Sequence, residues 1–166
     1  LSKTSYTYNG KTRKPSVTVK DSRGSDLKQG TDYTVTYPKG MKNVGAYSVT
    51  VKFGDHYSGT EKQTFTINPR STSISKLTPQ KKGFTVKWKK QGKEVGGYQI
   101  AYSTSSKFVK SQTTLKKIKG SKTTAKKYTK LKPGKKYYVR IRTYKTVGKK
   151  TYYSGWSGKK SVKTKK

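Results

Sequence analysis

The chain has 166 residues, with 41 Lys or Arg against 6 Asp or Glu, and a formal net charge of +35 at neutral pH. It contains no cysteine, which excludes disulfides and thiolate metal sites. Val, Leu, Ile and Phe supply only 26 residues, a composition that taken alone describes a disordered polyelectrolyte. Fourteen Tyr and two Trp argue against that reading, because they carry large buriable surface. The apolar residues also fall on alternating positions, a pattern that a disordered chain has no cause to keep. The length suffices for two small domains, each with its own core. No stretch approaches the apolar length of a membrane span, and none is expected to be a signal peptide. Leu1 is expected to open a fragment or mature piece of a longer protein.

Turn residues punctuate the chain roughly every ten residues and no segment carries a helical period, which predicts an all-β fold of two tandem β-sandwiches. In chain order, strands are expected at Val17–Val19, Tyr33–Tyr37, Tyr47–Phe53 and Phe65–Ile67. Further strands are expected at Phe84–Trp88, Tyr98–Tyr102, Tyr137–Ile141 and near Val162. The boundary falls at Asn68-Pro69-Arg70, giving domains 1–69 and 70–166. Pro69 restrains its own φ and the residue before it, so a stiff junction is expected. Charge splits unevenly there. Residues 1–69 hold 11 basic and 5 acidic side chains, a balance of +6, whereas residues 70–166 hold 30 basic side chains and one acid, Glu94, a balance of +29. The second domain is therefore the one expected to face an anionic environment.

The run Leu131-Lys-Pro-Gly-Lys-Lys-Tyr137-Tyr-Val139-Arg-Ile141-Arg142 sets a turn before strict alternation, with one face apolar and the other basic. Together with Trp88 closing Gly83–Trp88, Tyr98 and Ile100 on the next strand, and Gly155-Trp156-Ser157 before Val162, it resembles a fibronectin type III domain over residues 73–164. The resemblance implies core positions for Trp88, Tyr98 and Leu131. It also implies a Tyr137 hydroxyl that reaches back to backbone near the turn, and a last strand carrying Trp156. Residues 1–69 resemble the Ig-like repeats of Gram-positive surface proteins, through Tyr8-Asn-Gly-Lys, Gly30-Thr-Asp-Tyr-Thr-Val-Thr-Tyr37, Asn43-Val-Gly45 and Phe65-Thr-Ile-Asn-Pro69. Such repeats imply a secreted stalk or accessory module beside other domains of a longer parent.

Catalysis is not expected. His56, in Gly54-Asp55-His56-Tyr57, is the single histidine; it lacks a triad's third partner and reads as a solvated turn residue. Asp21, Asp26, Asp32 and Asp55 are too scattered for a calcium loop, so neither metal nor cofactor is expected. Asp21 and Asp26 should cap the turn they flank. An internal Lys–Asn isopeptide bond is a further option for the first domain, since the residue types are present.

The outward row of the predicted Tyr137 strand is Tyr138, Arg140, Arg142 and Tyr144, a stripe that could stack on sugars or grip phosphates. Against that use, Arg-x-Arg beside Trp156 is similar to half of the Arg/Trp ladder of cytokine-receptor-type fibronectin domains. Trp156 would then sandwich the two arginines, with the second Trp-Ser of the motif missing because Gly158-Lys159-Lys160 follows. Lysine pairs such as Lys81-Lys82, Lys135-Lys136 and Lys165-Lys166 recur through the loops and do not trace one groove. No single element concentrates charge as a duplex reader would, so no specific nucleic acid is expected. The expected partner is an anionic cell-wall polymer or glycan, met by a monomeric, non-catalytic surface module.

Overall fold

Tyr47, Val49, Val51 and Phe53 alternate with Ser48, Thr50 and Lys52, and that period places one face of a nine-residue strand against a core. In the computed structural model, which describes residues 1–54 and 57–166, this strand is the middle of the first sheet. The sheet runs in the order β1 (Ser5–Thr7), β4 (Thr60–Asn68), β3 (Gly45–Phe53), β2 (Tyr33–Thr36), with β1 parallel to β4 and the other pairs antiparallel. Val49, Phe65 and Ile67 are fully buried, with Met41 beside them, and Tyr6, Val17, Tyr37 and Tyr47 pack around this cluster. Asp55 and His56 lie outside the described residues, and with them the reading of the histidine.

The layer opposite this sheet is extended chain rather than a ladder. Val17–Val19 forms no strand, contrary to expectation. Pro15 opens the segment without an N–H, and the backbone bonds that follow go to scattered partners: Ser2 N–H donates to Ser16 O (2.9 Å) and Leu27 N–H to Val19 O (2.9 Å). The Tyr37 hydroxyl fastens the segment by donating to Pro15 O at 2.6 Å. Asp21 accepts from the N–H groups of Arg23 and Ser25, each at 2.9 Å, and so caps its turn. Every lysine of this unit is exposed. An isopeptide bond forms from a buried amine, so that option has no candidate lysine here.

Leu1–Asn68 and Pro69–Lys166 are two compact units. The second is a sandwich. One sheet holds β5 (Ile74–Gln80), β6 (Gly83–Trp88) and β9 (Ala125–Tyr128). The other runs β11 (Lys150–Tyr153), β10 (Lys136–Val147), β7 (Gly97–Ser103), β8 (Thr113–Lys119), with β12 (Lys160–Lys163) also on β10. Phe84, Val86 and Trp88 meet Tyr98, Ile100, Val139 and Ile141 between the sheets. Each such side chain stabilises by about 1.5–3 kcal/mol on burial. Tyr98, with no exposed surface, accepts from Gln91 N–H (2.8 Å) and donates to Ser121 O (2.9 Å). Tyr137 buries its ring, and its hydroxyl accepts from Lys132 N–H at 3.2 Å, across the turn that carries half-buried Leu131.

Candidate functional site

Strand β10 alternates Tyr137, Val139 and Ile141 inward with Tyr138, Arg140 and Arg142 outward, because successive side chains of a strand point to opposite faces. Arg140 and Arg142 are therefore about 6.6 Å apart along the same face, a gap that one aromatic ring fills. Trp156 fills it: the Arg140 guanidinium lies 4.5 Å from its ring centroid and that of Arg142 4.3 Å. The stack continues at both ends. Phe108 lies 4.1 Å from Arg140, and Tyr153 3.8 Å from Arg142. Lys117 then sits over Tyr153 at 5.5 Å and over Tyr144 at 5.2 Å.

Trp156 lies outside any strand, in the segment between β11 and β12. Serine side chains hold that segment to β10. Ser154 Oγ accepts from Thr143 N–H (3.0 Å) and Ser157 Oγ from Ile141 N–H (3.1 Å). In return Ser154 N–H donates to Thr143 O (3.1 Å) and Ser157 N–H to Ile141 O (2.8 Å). The repeat is thus Tyr153-Ser154-Gly155-Trp156-Ser157, with an aromatic-serine pair every three residues. The half expected to be missing is present upstream, with Tyr153 in place of a second tryptophan, and the signal was a spacing that ignores the substitution of Tyr for Trp. Phe108 carried no such signal. It sits in a loop at φ 55°, the left-handed region that bulky residues avoid, at a cost of roughly 1–2 kcal/mol. Contact with Arg140 repays part of that strain.

The stack roofs over Gln99, Ala101 and Ser103, which stand opposite Arg142, Arg140 and Tyr138 and make β7 buried on both faces. Arg142 Nε donates to Gln99 Oε1 at 2.8 Å. Desolvation lowers the pKa of Arg140. For Arg142 desolvation lowers it most, the neighbouring Tyr153 raises it and Arg140 lowers it again. Both remain charged at neutral pH, as arginines do in proteins. Tyr144, expected on the exposed stripe, is only 7% exposed. It stands opposite Gly97, where an added Cβ would meet Ile118 O at 2.1 Å and the Tyr144 hydroxyl at 2.9 Å, so the ring occupies the space a side chain would need. Of the four stripe residues, Tyr138 alone stays outside the stack, half-buried under Lys136 at 5.4 Å.

This arrangement has the chemistry of a structural stack. Its cations are already shared between rings, and no group of three or more His, Cys, Asp or Glu side chains gathers among the described residues. Glu94, the one acid of the second unit, binds Lys145 at 2.5 Å. The fibronectin type III domain family matches residues 67–157. The chain belongs to this family. Fibronectin type III and Ig-like β-sandwich domains are in general non-catalytic. The chicken CNTN1 FN1–FN3 domains share the fold at 19% identity and a TM-score of 0.50, over 75% of this chain and 44% of that one. A computationally redesigned β-sandwich protein aligns at 18% identity and a TM-score of 0.43, over 58% of this chain and 90% of its own. No curated protein matches the chain.

Proposed function

We propose that the chain is a non-catalytic accessory segment of a secreted Gram-positive surface protein, in which an Ig-like repeat precedes the fibronectin type III unit. The fibronectin type III unit attaches weakly to an anionic cell-wall polymer or glycan, and the neighbouring domains of the parent protein carry the main activity. The segment acts as a monomer.

The carrying observation is charge without a counterpart. The unit bears +29, its single acid is engaged by Lys145, and Arg140 and Arg142 are occupied by aromatic rings. What remains for a partner is a coat of exposed lysines. Each contact is weak, and attraction to the coat fades beyond about 8 Å at physiological ionic strength. Titration of the full chain with purified wall polymer at rising salt tests the reading. Saturable binding at low salt that weakens steadily supports it, and no binding even at the lowest ionic strength overturns it.

A further inference from the structure

Three lysine pairs that look dispersed in sequence meet at one end of the fibronectin type III sandwich. Lys81-Lys82 turns between β5 and β6, Lys135-Lys136 enters β10, and Lys165-Lys166 follows β12. Backbone bonds clamp the three segments together. Lys82 N–H donates to Lys165 O (3.2 Å), Lys165 N–H to Gln80 O (2.9 Å), Thr164 N–H to Lys135 O (3.0 Å) and Leu131 N–H to Lys82 O (2.9 Å). Lys81 bridges Lys165, Lys136 faces Lys163 across β10 and β12, and the Lys166 side chain passes 3.9 Å from the Cβ position of Gly134. Segments 80–82, 130–136 and 163–166 hold nine lysines, every one exposed, with no acid and no arginine.

Like charges set side by side in a sheet destabilise it, and no acidic side chain of the unit lies near enough to offset them here. Glu94 is held at the opposite end of β10, on Lys145. Nine residues of strand separate Lys136 from Lys145, about 30 Å, several times the screening length at physiological salt. We propose that this lysine pole is the attachment point for a flexible polymer of repeated phosphate groups, a reading that rests on the proposed function and locates it.

Two observations choose that occupant. Lysine binds phosphate as a compact, rotatable point charge without a fixed approach geometry, which suits a flexible polymer, whereas arginine, which would impose a planar bidentate geometry on a fixed phosphate or carboxylate, is absent from the pole. The three segments also contain no aromatic residue. A single-stranded nucleic acid would therefore find charge but, apart from the half-buried Tyr138 ring under Lys136, no stacking platform for its bases. A backbone of phosphates without bases loses nothing by that absence.

The test uses the full chain, a poly(glycerol phosphate) of defined length and an oligothymidylate with the same number of phosphates. One variant carries K81Q, K82Q, K165Q and K166Q. A control carries K89Q, K90Q, K149Q and K150Q, which removes equal charge from the far ends of β6 and β10. Near-ultraviolet circular dichroism establishes that both are folded. At about fivefold per lysine near an anionic partner, loss of four lysines is expected to weaken binding of poly(glycerol phosphate) by the pole variant by about 600-fold. Its plot of log affinity against log salt should be shallower by about 3. The control is expected to lose far less. Equal losses in the two variants overturn the pole while leaving diffuse attachment intact. Tighter binding of the oligothymidylate overturns the choice of polymer in favour of nucleic acid. Failure of the unsubstituted chain to bind at low salt overturns the proposed function and the pole together.

Discussion

Replacing Trp156 by leucine keeps an apolar side chain at the centre of the stack but removes the π face shared by Arg140 and Arg142. Two cation–π contacts are lost, at 4.5 and 4.3 Å. Contacts of this kind range from about 0.5–1 kcal/mol when exposed to about 2 when desolvated. The guanidinium groups are half-buried, so a loss of about 2 kcal/mol is expected, or a melting temperature lower by roughly 8–16 °C for a unit of this size. Both tryptophans, Trp88 and Trp156, belong to the second unit. Tryptophan fluorescence, excited at the red edge where tyrosine does not absorb, therefore follows that unit alone in the intact chain, and Trp88 remains as reporter in the variant. The decisive measurement is a double-mutant cycle of W156L with R142M by urea unfolding. A coupling of about 0.5–2 kcal/mol is expected for residues that touch. Strict additivity would show that Trp156 contributes only its buried area and that the stack is an incidental arrangement.

Three further outcomes follow from geometry and charge. Screening of the self-repulsion among the 30 basic residues of the second unit should raise its melting temperature between low and moderate salt; a flat or falling trend contradicts this. Burial, with Tyr102 nearby, pushes the Tyr128 hydroxyl well above its ordinary pKa of 10.0. The fold therefore favours the neutral phenol, so this contribution is complete below pH 10 and declines as pH rises beyond it, by at most about 1.4 kcal/mol per pH unit. Y128F should flatten that alkaline decline in urea stability without loss at pH 7, since no hydrogen bond holds the buried hydroxyl. G97A should destabilise by about 1–3 kcal/mol, because its Cβ would run into the Ile118 backbone carbonyl as well as the Tyr144 ring; a neutral effect measured by the same denaturation would show that β8 and the ring can both move aside.

Strand period made much of the fibronectin type III unit legible. Tyr137, Val139 and Ile141 are buried at 7%, 0% and 0%, as their alternation indicates. The same period assigned Tyr144 to the outer face correctly but could not say that Gly97, Tyr153 and Lys117 close over it. Period reports which side a residue points to, and exposure depends on what lies on that side. Strands β5, β8, β9 and β11 escaped notice because too few buried residues mark a period: β9 and β11 each bury a single side chain, Tyr128 and Tyr152, β8 buries none fully, and an irregularity after Ile74 breaks the alternation of β5. Val17–Val19 failed in the other direction, since alternation makes a segment able to pair without providing a partner. The stack was half legible, through Arg140, Arg142 and Trp156. Its ends were not, because Phe108 belongs to a loop and Tyr153 answers to a three-residue spacing that strand period does not describe.

The serine hooks beside β10 have a consequence for how the protein behaves among its own copies. Ser154 Oγ also donates to Gly155 O and Ser157 Oγ to Gly158 O, each at 2.9 Å. Each hydroxyl thus occupies a β10 amide on one side and a carbonyl of its own segment on the other. A regular strand in that place would leave its outer side as a row of amides and carbonyls onto which another chain could zip. The hooked segment spends those groups on itself. If the proposed polymer gathers many copies and screens the lysines that keep them apart, the stretch of this margin between β11 and β12 offers no seam for joining them.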